Sequence, residues 1–132
     1  MKLFAISCIS VLILFIIVLC TKDSILNKTD IYFCYKQNKQ NYNLPRVKSE
    51  LVGEWITDLS SNSIIFNEDG SFFIVNKSII LEKSEYSIYK DAEEYKLKVN
   101  NFSNYSGNIV ICSGNLTIDD NFYTFKCKCQ IK

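Results

Sequence analysis

LVGEWITDLSSNSIIFNEDGSFFIV, Leu51 to Val75, is the stretch whose reading decides the fold. Asn67-Glu68-Asp69-Gly70-Ser71 separates two apolar runs, Ile64-Ile65-Phe66 and Phe72-Phe73-Ile74. Gly70 suits the left-handed position of a three-residue hairpin loop, a type I turn closed by a glycine bulge. That register sets Phe66 against Phe72 and Ile64 against Ile74, so one face is wholly apolar. Upstream, Glu54 to Leu59 alternates Trp55, Thr57 and Leu59 against Glu54, Ile56 and Asp58, the pattern of a half-buried strand. Ser60-Ser61-Asn62 makes the turn between the two.

Working towards the C-terminus, Ile79 to Leu81 and Glu85 to Tyr89 read as short strands. Lys90 to Glu94 is a loop or one helical turn. Tyr95 to Val99 alternates with its lysines outward, and Asn100 to Gly107 is a polar loop carrying Phe102 and Tyr105. Val110, Cys112, Gly114, Leu116 and Ile118 then share one parity, and Tyr123, Phe125, Cys127, Cys129 and Ile131 another. Closing a hairpin over Asp120-Asn121 sets Ile118 against Tyr123 and Leu116 against Phe125. It also sets Cys112 against Cys129 and Val110 against Ile131. One Pro and four Gly among many Ile, Phe, Tyr and Val favour β structure.

Working towards the N-terminus, Pro45 to Leu51 suits a single helical turn with Pro at its first position. Residues 21–46 form a polar tether, interrupted by Ile31-Tyr32-Phe33-Cys34-Tyr35, a segment able to dock as an added strand. Residues 1–20 hold one Lys, an apolar run from Leu3 to Leu19, and Cys20, which reads as an export signal. Ile17-Val18-Leu19-Cys20 resembles a bacterial lipobox, with Cys20 as the lipid attachment point and Leu19 where a small residue is usual. An uncleaved anchor is the alternative, because the run is just long enough to span a bilayer. Simple secretion is the third. Each places residues 47–132, the β domain, outside the cytoplasm.

Cys8 and Cys20 belong to the leader, leaving Cys34, Cys112, Cys127 and Cys129 for an exported domain. Four such cysteines indicate two disulfides. The register favours Cys112 with Cys129, which leaves Cys34 with Cys127. Alternate residues of one strand lie about 6.5 Å apart, which opposes a bond between Cys127 and Cys129. The chain has no His, so a Cys-x-Cys metal site lacks its commonest companion ligand.

Leu51-Val52-Gly53-Glu54-Trp55 followed by the Asp69-Gly70 hairpin resembles the opening of small lipocalin-like lipoprotein domains. The resemblance covers about twenty-five residues and implies an antiparallel up-and-down meander of about eight short strands, as a small barrel or a flattened sandwich. It implies too that Trp55 plugs the closed end. In that family an arginine of the last strand often covers the tryptophan, but no arginine follows Arg46 here.

Function is less legible. The formal charge of +1 on 132 residues, with charges scattered, gives no case for nucleic acid. Absence of His removes the commonest general base, and the acidic pairs Glu93-Glu94 and Asp119-Asp120 fall in loops where solvated charge is the ordinary explanation. The expectation is therefore a non-catalytic, membrane-anchored binding or structural domain without a cofactor. If the barrel holds a small apolar ligand, Phe66, Phe72, Tyr86 and Phe125 line the cavity; the bland reading is that they fill the core. The alternative is an inhibitor or immunity-type protein of the cell envelope, resting on Phe102 and Tyr105. Asn-x-Ser/Thr at Asn27, Asn76, Asn101, Asn104 and Asn115 would matter only in a eukaryotic secretory protein.

Overall fold

The computed structural model describes Ile13 and residues 43–132. The readings that concern the leader, Cys20, the tether and the Ile31–Tyr35 segment lie outside the described residues.

Helix α1 spans Leu44–Leu51. Asn43 is its N-cap, accepting from the Arg46 amide at 3.0 Å through Oδ1, and Pro45 sits in the first turn, where a missing N–H costs nothing. Val47 and Leu51, four apart and so on one stripe, have no exposed surface. Opposite them Arg46 donates to Glu50 at 2.8 Å on the solvent side.

Eight strands follow: β1 (Gly53–Ile56), β2 (Ser63–Phe66), β3 (Ser71–Asn76), β4 (Ile79–Asp91), β5 (Glu94–Val99), β6 (Gly107–Cys112), β7 (Asn115–Ile118) and β8 (Asn121–Cys127). Each pairs antiparallel with the next, and β8 pairs back onto β1, so the meander closes into an up-and-down barrel. Closure leaves no sheet edge unpaired. The barrel form, and not the flattened sandwich, is the one adopted.

In the β2–β3 hairpin, Phe66 opposes Phe72 and Ile64 opposes Ile74, as the alternation predicts. Gly70 holds φ at 89°, and its amide donates to Asn67 at 3.2 Å to close the turn. Tyr95, Leu97 and Val99 point inward from β5, with Lys96 and Lys98 away from the core.

Four local expectations are corrected. The Glu54–Leu59 strand stops at Ile56, and a turn begins at Thr57, whose carbonyl accepts from the Ser60 amide. The two short strands at 79–81 and 85–89 are one strand of 13 residues, with a register shift opposite Ile74 and Val75. The loop at 90–94 shrinks to a tight turn around Ala92, which takes φ 55°. Finally, residues 110–118 are two strands and not one. Ser113 and Gly114, at φ 50° and 78°, make a two-residue turn that sets Cys112 against Asn115. Serine-glycine between alternating runs is itself a hairpin signal.

That extra turn moves the last hairpin. Leu116 opposes Tyr123 and Ile118 opposes Asn121, over Asp119-Asp120. The shift from the expected register is two residues, so Leu116, Ile118, Tyr123 and Phe125 keep their shared inward face. β8 ends at Cys127, and residues 128–132 leave the barrel.

Inside, Trp55, Ile64, Phe66, Phe72, Leu97 and Leu116 belong to one cluster with Val47 and Leu51 of α1. Ile65, Phe73 and Val75, of opposite parity on β2 and β3, form a second cluster on the outer face, with Ile131 packed against it. The tail is strapped there by two bonds to one side chain. Asn67 Nδ2 donates to the Ile131 carbonyl at 2.6 Å and Asn67 Oδ1 accepts from the Ile131 amide at 3.1 Å. Ile131 therefore covers the first hairpin instead of opposing Val110.

Candidate functional site

Trp55 is 1% exposed and sits where α1 meets the barrel. Its indole N–H donates to the Leu51 carbonyl at 2.8 Å, so the last turn of α1 supplies its polar partner. The ring meets Phe125 edge-on, centroids 5.2 Å apart. Gly53 permits this approach: at φ +136°, a Cβ there would lie 2.5 Å from the Cys127 carbonyl oxygen and 2.7 Å from the Phe125 ring.

Of the proposed cavity-lining residues, Phe66, Phe72 and Tyr86 are brought together, while Phe125 packs on Trp55. Phe66 and Phe72 have no exposed surface, and their ring centroids are 5.2 Å apart. Tyr86 meets Phe66 edge-on at 5.0 Å. These are distances of packed aromatic pairs. Phe102 and Tyr105 likewise turn their rings inward from a loop whose other residues, Asn101, Ser103 and Asn104, are exposed. They are half-buried against Phe72, at 6.2 and 5.4 Å, through the short 3-10 turn Ser103–Tyr105. The exposed aromatic loop expected as a partner site is thereby corrected: its rings belong to the core.

A groove of about 670 Å³ is lined by α1, the β2–β3 loop, β4 and the tail. Pro45, Val52 and Ile88 give it apolar surface, Lys48 and Lys128 bring cations, and Glu68 and Asp69 bring carboxylates. Tyr86 crosses its floor and donates to the Asn67 carbonyl at 2.7 Å. Burial, with help from the charges of Asp69 and Glu68, pushes the Tyr86 phenol up to about 12. Asp69 is held below the usual carboxylate range by the hydroxyl and amide of Ser71, both donating to Oδ1. Sequence reasoning missed this groove, because its walls come from four separate segments and share no periodicity.

Glu54 forms the other polar centre. It lies on β1 with only 9% of its surface exposed, on the face away from Trp55. Ser63 Oγ donates to its Oε1 at 2.6 Å and the Lys126 ammonium does so at 3.1 Å, while the Cys127 sulfur lies 3.5 Å from Oε2. A register shift between Glu54 and Trp55 against β8 places Glu54 beside Cys127. Such irregularities re-aim a side chain.

The cysteine pairing is corrected at this corner. Cys127 and Cys129 are bonded to each other, with Cα atoms 5.2 Å apart. The chain is not extended past Cys127, so the strand spacing that opposed this bond does not apply. Cys112 is also disulfide-bonded, to a partner outside the described residues. Neither Cys112–Cys129 nor Cys34–Cys127 forms.

The acidic pairs are dispersed. Glu93 lies in the β4–β5 turn and Glu94 opens β5, while Asp119 caps the β6 edge by accepting from the Asn108 amide at 2.9 Å.

No family model matches the chain, and neither a curated protein nor a solved structure does.

Proposed function

We propose that this chain is a non-catalytic, extracytoplasmic barrel domain held to a membrane by its N-terminus, and that it binds a small amphiphilic molecule in the external groove. The observation that carries the reading is the groove itself. At about 670 Å³ it falls within the range of small-molecule sites, and it joins apolar walls to both signs of charge. The packed aromatic interior argues against the apolar cavity and moves the ligand outside. Delivery rests on the apolar leader and Cys20, and the lipocalin-like reading is supported by the up-and-down closure and by Trp55 at the α1 end. Native mass spectrometry of full-length protein released from its own membranes tests this. A non-covalent small-molecule adduct supports it, and a bare chain under gentle conditions counts against it.

The envelope inhibitor reading keeps one separate observation in its favour. Leu59, Ile79, Ile80 and Leu81 are exposed, at 86, 66, 48 and 49%, near two loops joined by hydrogen bonds from Asn76 to Ser61 and Asn62. A contiguous exposed apolar patch marks a protein contact, and these four residues are where such a patch would lie. A photo-crosslinker at Ile80 that captures one defined protein in the native envelope supports this reading, and capture of none removes it.

A further inference from the structure

We propose that reduction of the Cys127–Cys129 bond turns the Glu54 corner into a site for a thiophilic divalent cation such as zinc. Ligand atoms of Glu54, Cys127 and Cys129 all lie within 4.8 Å of one another. Two thiolates and one carboxylate are a donor set that zinc accepts, with a water completing four-coordination. The carboxylate is already oriented: Ser63 holds Oε1 at 2.6 Å, leaving Oε2 towards Cys127. A Ser–Glu hydrogen bond behind a ligand is the outer support such sites use. Lys126 reaches Oε1 from solvent with its side chain 54% exposed, so it is free to swing away when a cation neutralises Glu54.

The bond itself suits reversal. It spans a sequence separation of 2, so it restrains the unfolded chain less than any longer loop would. Cys129 is exposed and Cys127 half-buried. An external dithiol attacks Cys129, and Cys127 leaves as a thiolate that takes up a proton. The second thiol of the reductant then closes the reductant's own disulfide and releases Cys129. Two electrons pass from the dithiol to the protein disulfide, and binding of the cation displaces the two thiol protons.

Full-length protein in detergent, reduced with a phosphine, is titrated with cobalt(II) as the spectroscopic reporter and then with zinc in competition. The expected result is one equivalent bound with a thiolate-to-cobalt charge-transfer band, absent from the oxidised protein and from Cys127→Ser. Glu54→Gln should weaken binding at least about tenfold, the lower end of what loss of even an outer-shell partner costs. Cys112→Ser should keep the band, which separates this site from the other reduced cysteines. Absence of a band in the reduced wild type, its survival in Cys127→Ser, or unchanged affinity in Glu54→Gln overturns the proposal. Comparing oxidised and reduced wild type needs no substitution, so a variant that fails to fold does not decide the matter.

Discussion

The indole N–H of Trp55 donates to the carbonyl of Leu51, 2.8 Å away, and so joins the first strand of the barrel to the helix that precedes it. Both residues are essentially without exposed surface. Trp55→Phe keeps most of the ring but strands a buried carbonyl, and should lower stability by about 1–3 kcal/mol. Trp55→Ala adds the lost volume and should cost about 3–5 kcal/mol. Chemical denaturation monitored by circular dichroism measures both. A Trp55→Phe variant as stable as the wild type would mean that the hydrogen bond contributes nothing.

Two glycines should respond to substitution for different reasons. At Gly70 an added Cβ meets only an ordinary contact, 3.7 Å from the Tyr86 carbonyl oxygen, so Gly70→Ala meets chiefly the cost of positive φ, about 1–3 kcal/mol. Gly53→Ala drives a methyl into backbone, 2.5 Å from the Cys127 carbonyl, and should part β1 from β8. Hydrogen exchange distinguishes them: increased exchange across the β1–β8 seam is expected for Gly53→Ala alone.

How much of this was legible depended on how local each signal was. Asn67 to Ser71 carries its own turn chemistry, so the first hairpin could be read residue by residue, and Phe66 and Phe72 met as expected. Ser113-Gly114 carried a turn signal too, but the even-numbered apolar residues from Val110 to Ile118 masked it. The two-residue turn switches parity, so Ile109 and Ile111, and not Val110 and Cys112, share the inward face of Leu116 and Ile118. Glu82 to Ser84 looked like a break because both faces of β4 are largely exposed there, leaving no alternation to follow. Phe73 and Val75 alternate with Phe72 and Ile74, so they take the outer face of β3, and only tertiary structure brings Ile131 over them. Tyr86 packs on Phe66, and its hydroxyl reaches Asn67 beside a groove that no single segment encodes.

The cysteines make a covalent prediction. A non-reduced digest should yield Cys127 and Cys129 in one intramolecular loop. Cys112 should appear joined to Cys34, the remaining cysteine beyond the leader. A peptide linking Cys112 to Cys129 would restore the register rejected above.

Alkaline conditions should weaken the fold. Burial pushes Tyr86 and Tyr123 up to about 12, the first helped by Asp69 and Glu68 and the second by Tyr105. Both folded values lie above the unfolded one near 10, so their contribution is complete below about pH 10 and is lost as pH rises towards 12. Melting temperatures measured from pH 9 upward should fall across that window. Tyr86→Phe and Tyr123→Phe should each flatten the decline.

The most direct test of an external site in a filled barrel compares two substitutions in one ligand measurement. Ser87→Trp places a bulky ring at a residue that lines the groove, whereas Phe72→Leu alters the packed interior. Native mass spectrometry of full-length protein from its own membranes should show the small-molecule adduct on the wild type and on Phe72→Leu, and its loss from Ser87→Trp. An adduct that survives in Ser87→Trp and disappears from Phe72→Leu would place the ligand inside the barrel and contradict the account.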